Sequence, residues 1–429
     1  MKKLDINVHH ITRVEGHGNI VVNYEKGVVE SFKLEIVESP RFFEVMLKGR
    51  HFSEAPQITA RICGICAVGH TLSSLRACES AIGISPSEQT VILRKLILHA
   101  EIIQSHVLHT YFLALPDFLN VGSVIPLAET HGEEVKRALR LKKLGNDMCE
   151  VLVGRKIHPL AMQINGFSRT PTESDLITIQ NMLRDRESDI EKMIELFSGI
   201  AMPELALENG EYLGLSGEDY ALYDGKITSS LGNSVETLDY LKLIQEHVEE
   251  HSSAKHVKAI SDSYMVGALA RLNLSSDKLH PKAKEALKAF GIAFPNHNPF
   301  NINVAQVVET VHCFYDSLEL ISMLLDKGLN VEDYRDYKVS SGTGVGAVEV
   351  PRGILFHEYT IDDDGYIVQA NCIIPTGQNL ANIESNLRDF VPRIIDRSKE
   401  EITHSLEMLV RAYDPCISCS AHFLSVDFV

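Results

Sequence analysis

The sequence predicts an α+β fold, predominantly helical, with a central bundle of long helices, a small N-terminal antiparallel β-meander and a β-hairpin region in the C-terminal half. Three observations carry this expectation. Apolar residues recur at helical spacing over long runs, as from Val91 to Leu115 and over 303–327. Near the N-terminus and again over 343–376 the apolar residues alternate with polar ones as in strands. No internal repeat, low-complexity tract or linker divides the 429 residues, so a single domain over 1–429 is expected.

The meander covers 5–37, where Ile6, Val8, Ile20, Val22, Phe32, Leu34 and Ile36 alternate between Gly16, Gly18 and a Lys26-Gly27 turn. A short helix opens at Pro40-Arg41-Phe42-Phe43-Glu44 and stops near Gly49. The helical core is expected over 53–330. Its first helix, 67–82, aligns Leu72, Leu75, Cys78 and Ile82 and stops at Gly83. Ser85-Pro86-Ser87-Glu88 starts the next, and Pro116-Asp117 ends it. Thr130 and Glu133 make a capping box for a helix reaching Val153. Further helices are expected from Thr172 toward Ile200, over 234–258 and over 303–327. The Gly-rich stretch 205–233 is expected as a surface excursion. The β region, 343–376, turns at Asp362-Asp363-Asp364-Gly365. One last helix, 379–410, leads into a motif ending at residue 422, and a tail of 423–429 follows.

Apolar residues make up 45% of the chain, which is ordinary for a globular protein. The net charge of −17 argues against a nucleic-acid-binding or anionic-membrane surface, because both need clustered Lys and Arg. No apolar run is long enough to span a bilayer. The opening Met1-Lys2-Lys3-Leu4-Asp5-Ile6-Asn7 lacks an apolar signal-peptide core, so a cytoplasmic location is expected.

Eight cysteines occur, and a disulfide framework is not expected in a long cytoplasmic chain. Cys78, Cys149 and Cys313 fall among helical-pattern residues and suit small buried hydrophobes. Four others form two Cys-x-x-Cys pairs at opposite ends: Cys63 with Cys66, and Cys416 with Cys419. Two intervening residues let both sulfurs of a pair converge on one soft or borderline metal. On spacing alone a structural zinc knot, a redox-active metal and two independent redox dithiols all stay open.

The flanking residues decide between them. Arg61-Ile62-Cys63-Gly64-Ile65-Cys66 followed by His70, together with Asp414-Pro415-Cys416-Ile417-Ser418-Cys419-Ser420-Ala421-His422, resembles the signature pair of the large subunit of nickel-iron hydrogenases. Arg13-Val14-Glu15-Gly16-His17, Pro40-Arg41-Phe42-Phe43-Glu44, Val350-Pro351-Arg352-Gly353 and Ile374-Pro375-Thr376 resemble further motifs of that family, in family order. The family often has Gly where Phe42 or Phe43 stands, and often a Trp in the motif that reads Thr376-Gly377-Gln378-Asn379 here. These variants, the short chain and the absence of Trp resemble the cytoplasmic, multisubunit branch.

The resemblance implies a catalytic subunit that cleaves H2 reversibly and heterolytically to protons and electrons. It implies a Ni-Fe centre with iron-bound CO and cyanide, Cys63 and Cys416 being terminal nickel ligands and Cys66 and Cys419 bridges. Arg352 would lie over the centre with Asp117 and Asp414 beside it. Thr376 would donate to a cyanide, and Pro351 would touch the diatomic ligands. Glu15 would be the first proton carrier from a sulfur, with Cys416 the proton acceptor. Glu44, the Cys372 carbonyl and His422 would hold Mg2+ or another divalent ion. His70 would hydrogen-bond a sulfur, whereas His106, His109, His158 and His312 suit core or capping roles. Implied partners are an iron-sulfur small subunit, further electron-transfer subunits, maturation proteins and an endopeptidase that removes 423–429. Two rival readings are a non-catalytic hydrogenase-like scaffold subunit of a respiratory complex, and a structural zinc protein.

Overall fold

The computed structural model describes residues 3–25, 28–205, 207 and 210–421. His422 and the tail 423–429 lie outside the described residues. The meander is present. Strands β1 (Lys3–Val8), β2 (Gly18–Glu25) and β3 (Val28–Ile36) pair antiparallel in that order, with Ile6 opposite Val22 and Ile20 opposite Leu34. Those four side chains are buried, as the period-two pattern requires. The short helix α1 (Phe43–Leu47) follows.

Helix α2 (Ala67–Ala81) starts directly after Cys66. Helix α3 (Glu88–Val107) is capped by Ser87, whose hydroxyl accepts from the Thr90 N–H at 3.1 Å. It packs against α4 (Gly132–Val153), and these two form part of the expected bundle. Beyond Val107 the chain widens into π-helical turns over Leu108–Ala114 and closes with Leu115–Phe118. The Thr130–Glu133 capping box does not form. Thr130 ends a short helix and its hydroxyl meets His131 Nδ1 at 2.8 Å, while Glu133 pairs with Lys136. The helix expected from Thr172 is two, α5 (Glu173–Arg184) and α6 (Glu187–Ser198). Thr172 and Asp175 make a true capping box for the first, and Glu187 and Asp189 supply acidic residues to the first turn of the second.

The stretch 205–258 departs most from expectation. In place of a surface excursion, β4 (Glu211–Ser216) is buried and pairs with β5 (Lys226–Ser229), which pairs with β6 (Ser234–Val235). In place of a helix over 234–258 there is a single 3-10 stretch, Thr237–Lys242, and an antiparallel pair, β7 (Gln245–His247) with β8 (His256–Lys258). Leu238, Leu241 and Val248 suggest a helical stripe, yet all three are exposed. Strand β9 (Tyr264–Met265) joins β4 in parallel. Helix α7 (Ala268–Ser275) and the long α8 (Ile302–Lys327) complete the core, α8 lying against α3.

The C-terminal β region is a three-stranded antiparallel sheet of β10 (Gly342–Val350), β11 (Gly353–Ile361) and β12 (Ile367–Ile373). Strand β10 presses on α2 backbone to backbone. A Cβ at Gly342, Gly344 or Gly346 would stand 2.0–2.2 Å from α2 main-chain atoms, so only glycine admits this approach. The final helix is split into α9 (Pro375–Ile394), opened by Pro375, and α10 (Lys399–Ala412). Ser398 breaks it by forming its own capping box with Glu401.

Candidate metal centre

The first cysteine pair is placed by α2. Cys66 is its N-cap, and the Ile65 N–H points at Cys63 Sγ at 3.3 Å. The first N–H groups of a helix need acceptors. Glu101 of α3 supplies them, accepting from Val68 N at 2.7 Å and Gly69 N at 3.1 Å. The second pair is placed by residues far away in sequence. Asp414 has φ 52°, a left-handed conformation that Asp tolerates better than most side chains. Cys416 N donates to Thr376 Oγ1 at 2.9 Å. Ile417 N donates to the Glu15 carbonyl at 2.9 Å and Ser418 N to Glu15 Oε2 at 3.1 Å. Gly16 makes that approach possible: a Cβ there would lie 2.7 Å from Ile417 Cβ, and its φ is +87°.

The four sulfurs converge. Cys63 Sγ is 3.5 Å from Cys416 Sγ, Cys66 Sγ is 3.7 Å from Cys419 Sγ, and all four lie within 4.8 Å of one another. Two thiolates on one ion at about 2.3 Å stand roughly 3.3–3.8 Å apart, so this spacing fits a shared metal. Hydrogen bonds from Cys416, then Cys419 and Cys66, hold the Cys63 thiol well below its ordinary range. Contacts with Cys419 and Cys63 push Cys416 up, and burial pushes Cys419 up to about 11. Glu15 Oε2 lies 3.2 Å from Cys416 Sγ, so a carboxylate stands within proton-transfer reach of that sulfur.

Arg352 is buried beside the sulfurs. Its Nε donates to the Asp414 carbonyl at 2.5 Å and its Nη2 to Asp414 Oδ1 at 2.7 Å. Burial opposes its charge, but Asp414 and then the sulfurs of Cys416, Cys66 and Cys63 more than offset that. A small cavity of about 10 Å³ adjoins the centre, lined by Cys66, Arg352, Leu355, Thr376, Cys416 and Cys419 among others. Two open clefts of about 790 and 1080 Å³ lie elsewhere and contain no cysteine.

Three residues expected around the centre make contacts of their own. Pro351 does not line this cavity; Val350 and Pro375 do. Pro351 instead offers its carbonyl to Arg271 Nη2 at 3.2 Å. Asp117 is bonded not to Arg352 but to Arg411, at 2.8 and 2.9 Å, and to Arg13. The wide turns of 108–114 bring Leu113 and Asp117 together against Arg13, whose Nη1 donates to the Leu113 carbonyl at 2.6 Å. His70 lines the cavity, but its Nδ1 faces His357 Nε2 at 3.1 Å, and His357 Nδ1 in turn faces Tyr359 Oη at 2.6 Å.

The second expected ion site is partly described. The Glu44 carboxylate is fully buried, accepts from Cys372 N at 3.1 Å and stands 3.9 Å from Lys255 Nζ. Arg41 N donates to the Ala421 carbonyl at 3.1 Å, which brings the end of the described chain to the α1 entrance.

Several residues that shape the centre are not evident from the motifs. Arg271 forks onto Glu309 at 2.6 and 2.6 Å, reaches Glu349 at 2.8 Å, and donates to the carbonyls of Val350 and Pro351. It thereby fixes the turn that presents Arg352. Gln306 Nε2 donates to Asp414 Oδ2 at 3.2 Å, and Gln306 Oε1 meets His109 Nδ1 at 2.5 Å. The usable signal is the interruption of apolar runs: Gln306 and Glu309, with Thr310 and His312, stand among the buried apolar residues of Val304–Phe314.

Comparison with known proteins agrees with this geometry. Residues 41–199 and 219–422 match the family model described as nickel-dependent hydrogenase. The chain is 35% identical to the alpha chain of sulfhydrogenase 1 of Pyrococcus furiosus over 98% of both chains. It is 32% identical to a chain of the F420-non-reducing hydrogenase of Methanothermobacter thermautotrophicus, over 97% of this chain and 94% of that one. Among solved structures, an NAD+-reducing [NiFe]-hydrogenase in the H2-reduced state superposes with TM-score 0.85 at 26% identity, over 98% of this chain and 100% of that one. The chain belongs to the nickel-dependent hydrogenase family and is a hydrogenase chain.

Proposed function

We propose that this chain is the catalytic subunit of a nickel-iron hydrogenase, cleaving H2 reversibly to protons and electrons and passing the electrons to an iron-sulfur small subunit. The observation that carries the reading is the convergence of four buried cysteine sulfurs within 4.8 Å, beside a buried Arg352 and a carboxylate, Glu15. Cys63, Cys66, Cys416 and Cys419 would hold nickel and iron. When bound, the metals with iron-bound CO and cyanide supply the redox chemistry that takes up the electron pair of H2.

The protein's own groups do the rest. Glu15 takes a proton from Cys416 Sγ across 3.2 Å and passes it outward. Arg352, held by Asp414, places a fixed positive charge over the sulfurs. Thr376 accepts from Cys416 N, which leaves its own O–H to donate into the cavity, toward a cyanide. Val350, Leu355 and Pro375 keep water from the reacting face. Asp117 acts at one remove by fixing Arg13, next to the motif that carries Glu15.

Glu44, the Cys372 carbonyl and His422 would bind Mg2+ or a similar divalent ion; the buried Glu44 carboxylate beside Cys372 supports this. Among the described residues there is no second cysteine cluster, so the electrons leave through a partner. Membership of the family extends the reading to further electron-transfer subunits, maturation proteins, an endopeptidase acting after His422, and a cytoplasmic location. No helix among the described residues is long and apolar enough to cross a membrane.

Infrared spectroscopy of the matured complex tests the reading. Bands from metal-bound CO and cyanide, with nickel and iron by metal analysis and H2-dependent dye reduction, are expected. Zinc alone, or no metal, with no such bands, would overturn it. Intact mass of the nickel-loaded chain tests loss of 423–429.

A further inference from the structure

A second constellation of metal-binding groups lies away from the cysteines. Strands β7 and β8 pair with His247 opposite His256, and the connection between them carries His251. Ser253 seats that connection on β3, its N–H and its hydroxyl both donating to the Ile36 carbonyl at 3.0 Å. Glu384 reaches the same place from α9, which packs against both β3 and β8. His251 Nε2 lies 2.8 Å from Glu384 Oε1, and His256 Nε2 lies 3.8 Å from Glu384 Oε2. One ligand atom from each of the three residues falls within 4.8 Å of the others.

His256 is the telling residue. Its side chain is 2% exposed, and neither ring nitrogen has a hydrogen-bond partner among the described residues. Burying an imidazole that way is costly, and such groups are rare unless something else satisfies them. The carboxylate facing it is oriented from behind, since Leu34 N donates to Glu384 Oε1 at 2.9 Å. His251 and Glu384 are 13% and 14% exposed, so an ion can reach them from solvent while His256 closes the inner side. His247 lies nearby, its ring tilted 47° to that of His256 with centroids 5.9 Å apart, and its buried Nδ1 also has no partner among the described residues.

We propose that His251, His256 and Glu384 bind a divalent transition ion of the zinc class, tying the β7–β8 pair to α9 and β3. Two imidazoles with one carboxylate suit zinc and its first-row neighbours, whereas magnesium and calcium prefer sets dominated by oxygen. His251 Nε2 and Glu384 Oε1, 2.8 Å apart, are hydrogen-bonded to each other; two tetrahedral ligands about 2.0–2.1 Å from one ion stand roughly 3.3 Å apart, so the pair opens by about 0.5 Å to take zinc. The proposal does not depend on the hydrogenase reading. Its role is structural, because it shares no residue with the cysteine centre.

The test uses the full-length chain loaded with zinc or cobalt and then desalted. Wild type should retain one more zinc equivalent than His251→Ala or Glu384→Gln. Cobalt should give a visible d–d contribution from a nitrogen–oxygen site that is lost in His251→Ala, while the d–d and near-ultraviolet thiolate bands of cobalt on the cysteine centre persist. That band reports the cysteine site separately, so failure of one site is distinguishable from failure of the other. His251 is partly exposed, and His251→Ala keeps the test available if Glu384→Gln fails to fold. Equal zinc counts and identical visible bands in wild type and His251→Ala would overturn the proposal.

Discussion

The two cysteine pairs meet at one centre but are positioned by different means. Cys63 and Cys66 ride on the start of α2, where a helix cap and one carboxylate, Glu101, define their geometry. Cys416 and Cys419 have no such local frame. Their backbone is held by Glu15 and Thr376, which lie about 400 and 40 residues away in sequence. The first pair can take shape as soon as α2 and α3 pack together. The second waits for the meander, β12 and α9 to be in place.

Substitutions can separate these two modes. The largest effect is expected where they converge: Cys66→Ser and Cys419→Ser should each abolish nickel retention and H2-dependent dye reduction, measured by metal analysis and activity of the matured complex. If either variant kept full activity, that sulfur would not be a ligand. Glu15→Gln should lower activity by about 10²-fold with nickel content unchanged, because it removes the proton acceptor near Cys416 and keeps the shape. An unaltered turnover rate would place the proton route elsewhere.

Gly16→Ala should disturb only the second pair. Its Cβ would collide with Ile417 and sit at an unfavourable φ, so a loss of about 1–3 kcal/mol is expected in denaturant unfolding. Amide exchange should quicken at Ile417 and Ser418 and stay unchanged in α2. Glu101→Ala should do the reverse. Removing the acceptor for Val68 and Gly69 should cost about 2 kcal/mol and loosen the start of α2. The smallest effect is in pH. Burial pushes Glu101 up to about 8 despite its two backbone N–H donors. An acid raised in the folded state favours folding most below its unfolded value, near 4.5, and that contribution fades as pH rises through 8. Stability of the metal-free chain should therefore fall from pH 5 to pH 8, and Glu101→Gln should flatten the slope. An identical slope in the variant would assign the dependence to other groups.

Much of the centre is legible because its ligands come in short, local patterns. A Cys-x-x-Cys pair keeps its meaning wherever the chain carries it, and the meander shows itself through alternation at Ile6, Val22 and Leu34. The stretch 234–258 misleads because Leu238, Leu241 and Val248 mimic a helical stripe, although none of them is buried. The buried charges are illegible for a related reason. Arg271 and Glu309 are polar residues in apolar runs, and only their mutual contact explains how they can be buried there. Pro351 and Asp117 stand in or near the expected motifs, yet their contacts follow from a turn fixed by Arg271 and from π-helical turns.

The sequence by itself determined the helical character, the flanking sheets, the cysteine ligand types and the family, because each is written in spacing or short motifs. Tertiary structure decided which sulfurs pair, which carboxylate faces Cys416, and that Arg352 is clamped by Asp414. It also brought His251, His256 and Glu384 together from a hairpin and a distant helix. The reason is geometric: these contacts join residues that no periodicity relates, and only packing around a shared core sets their distances.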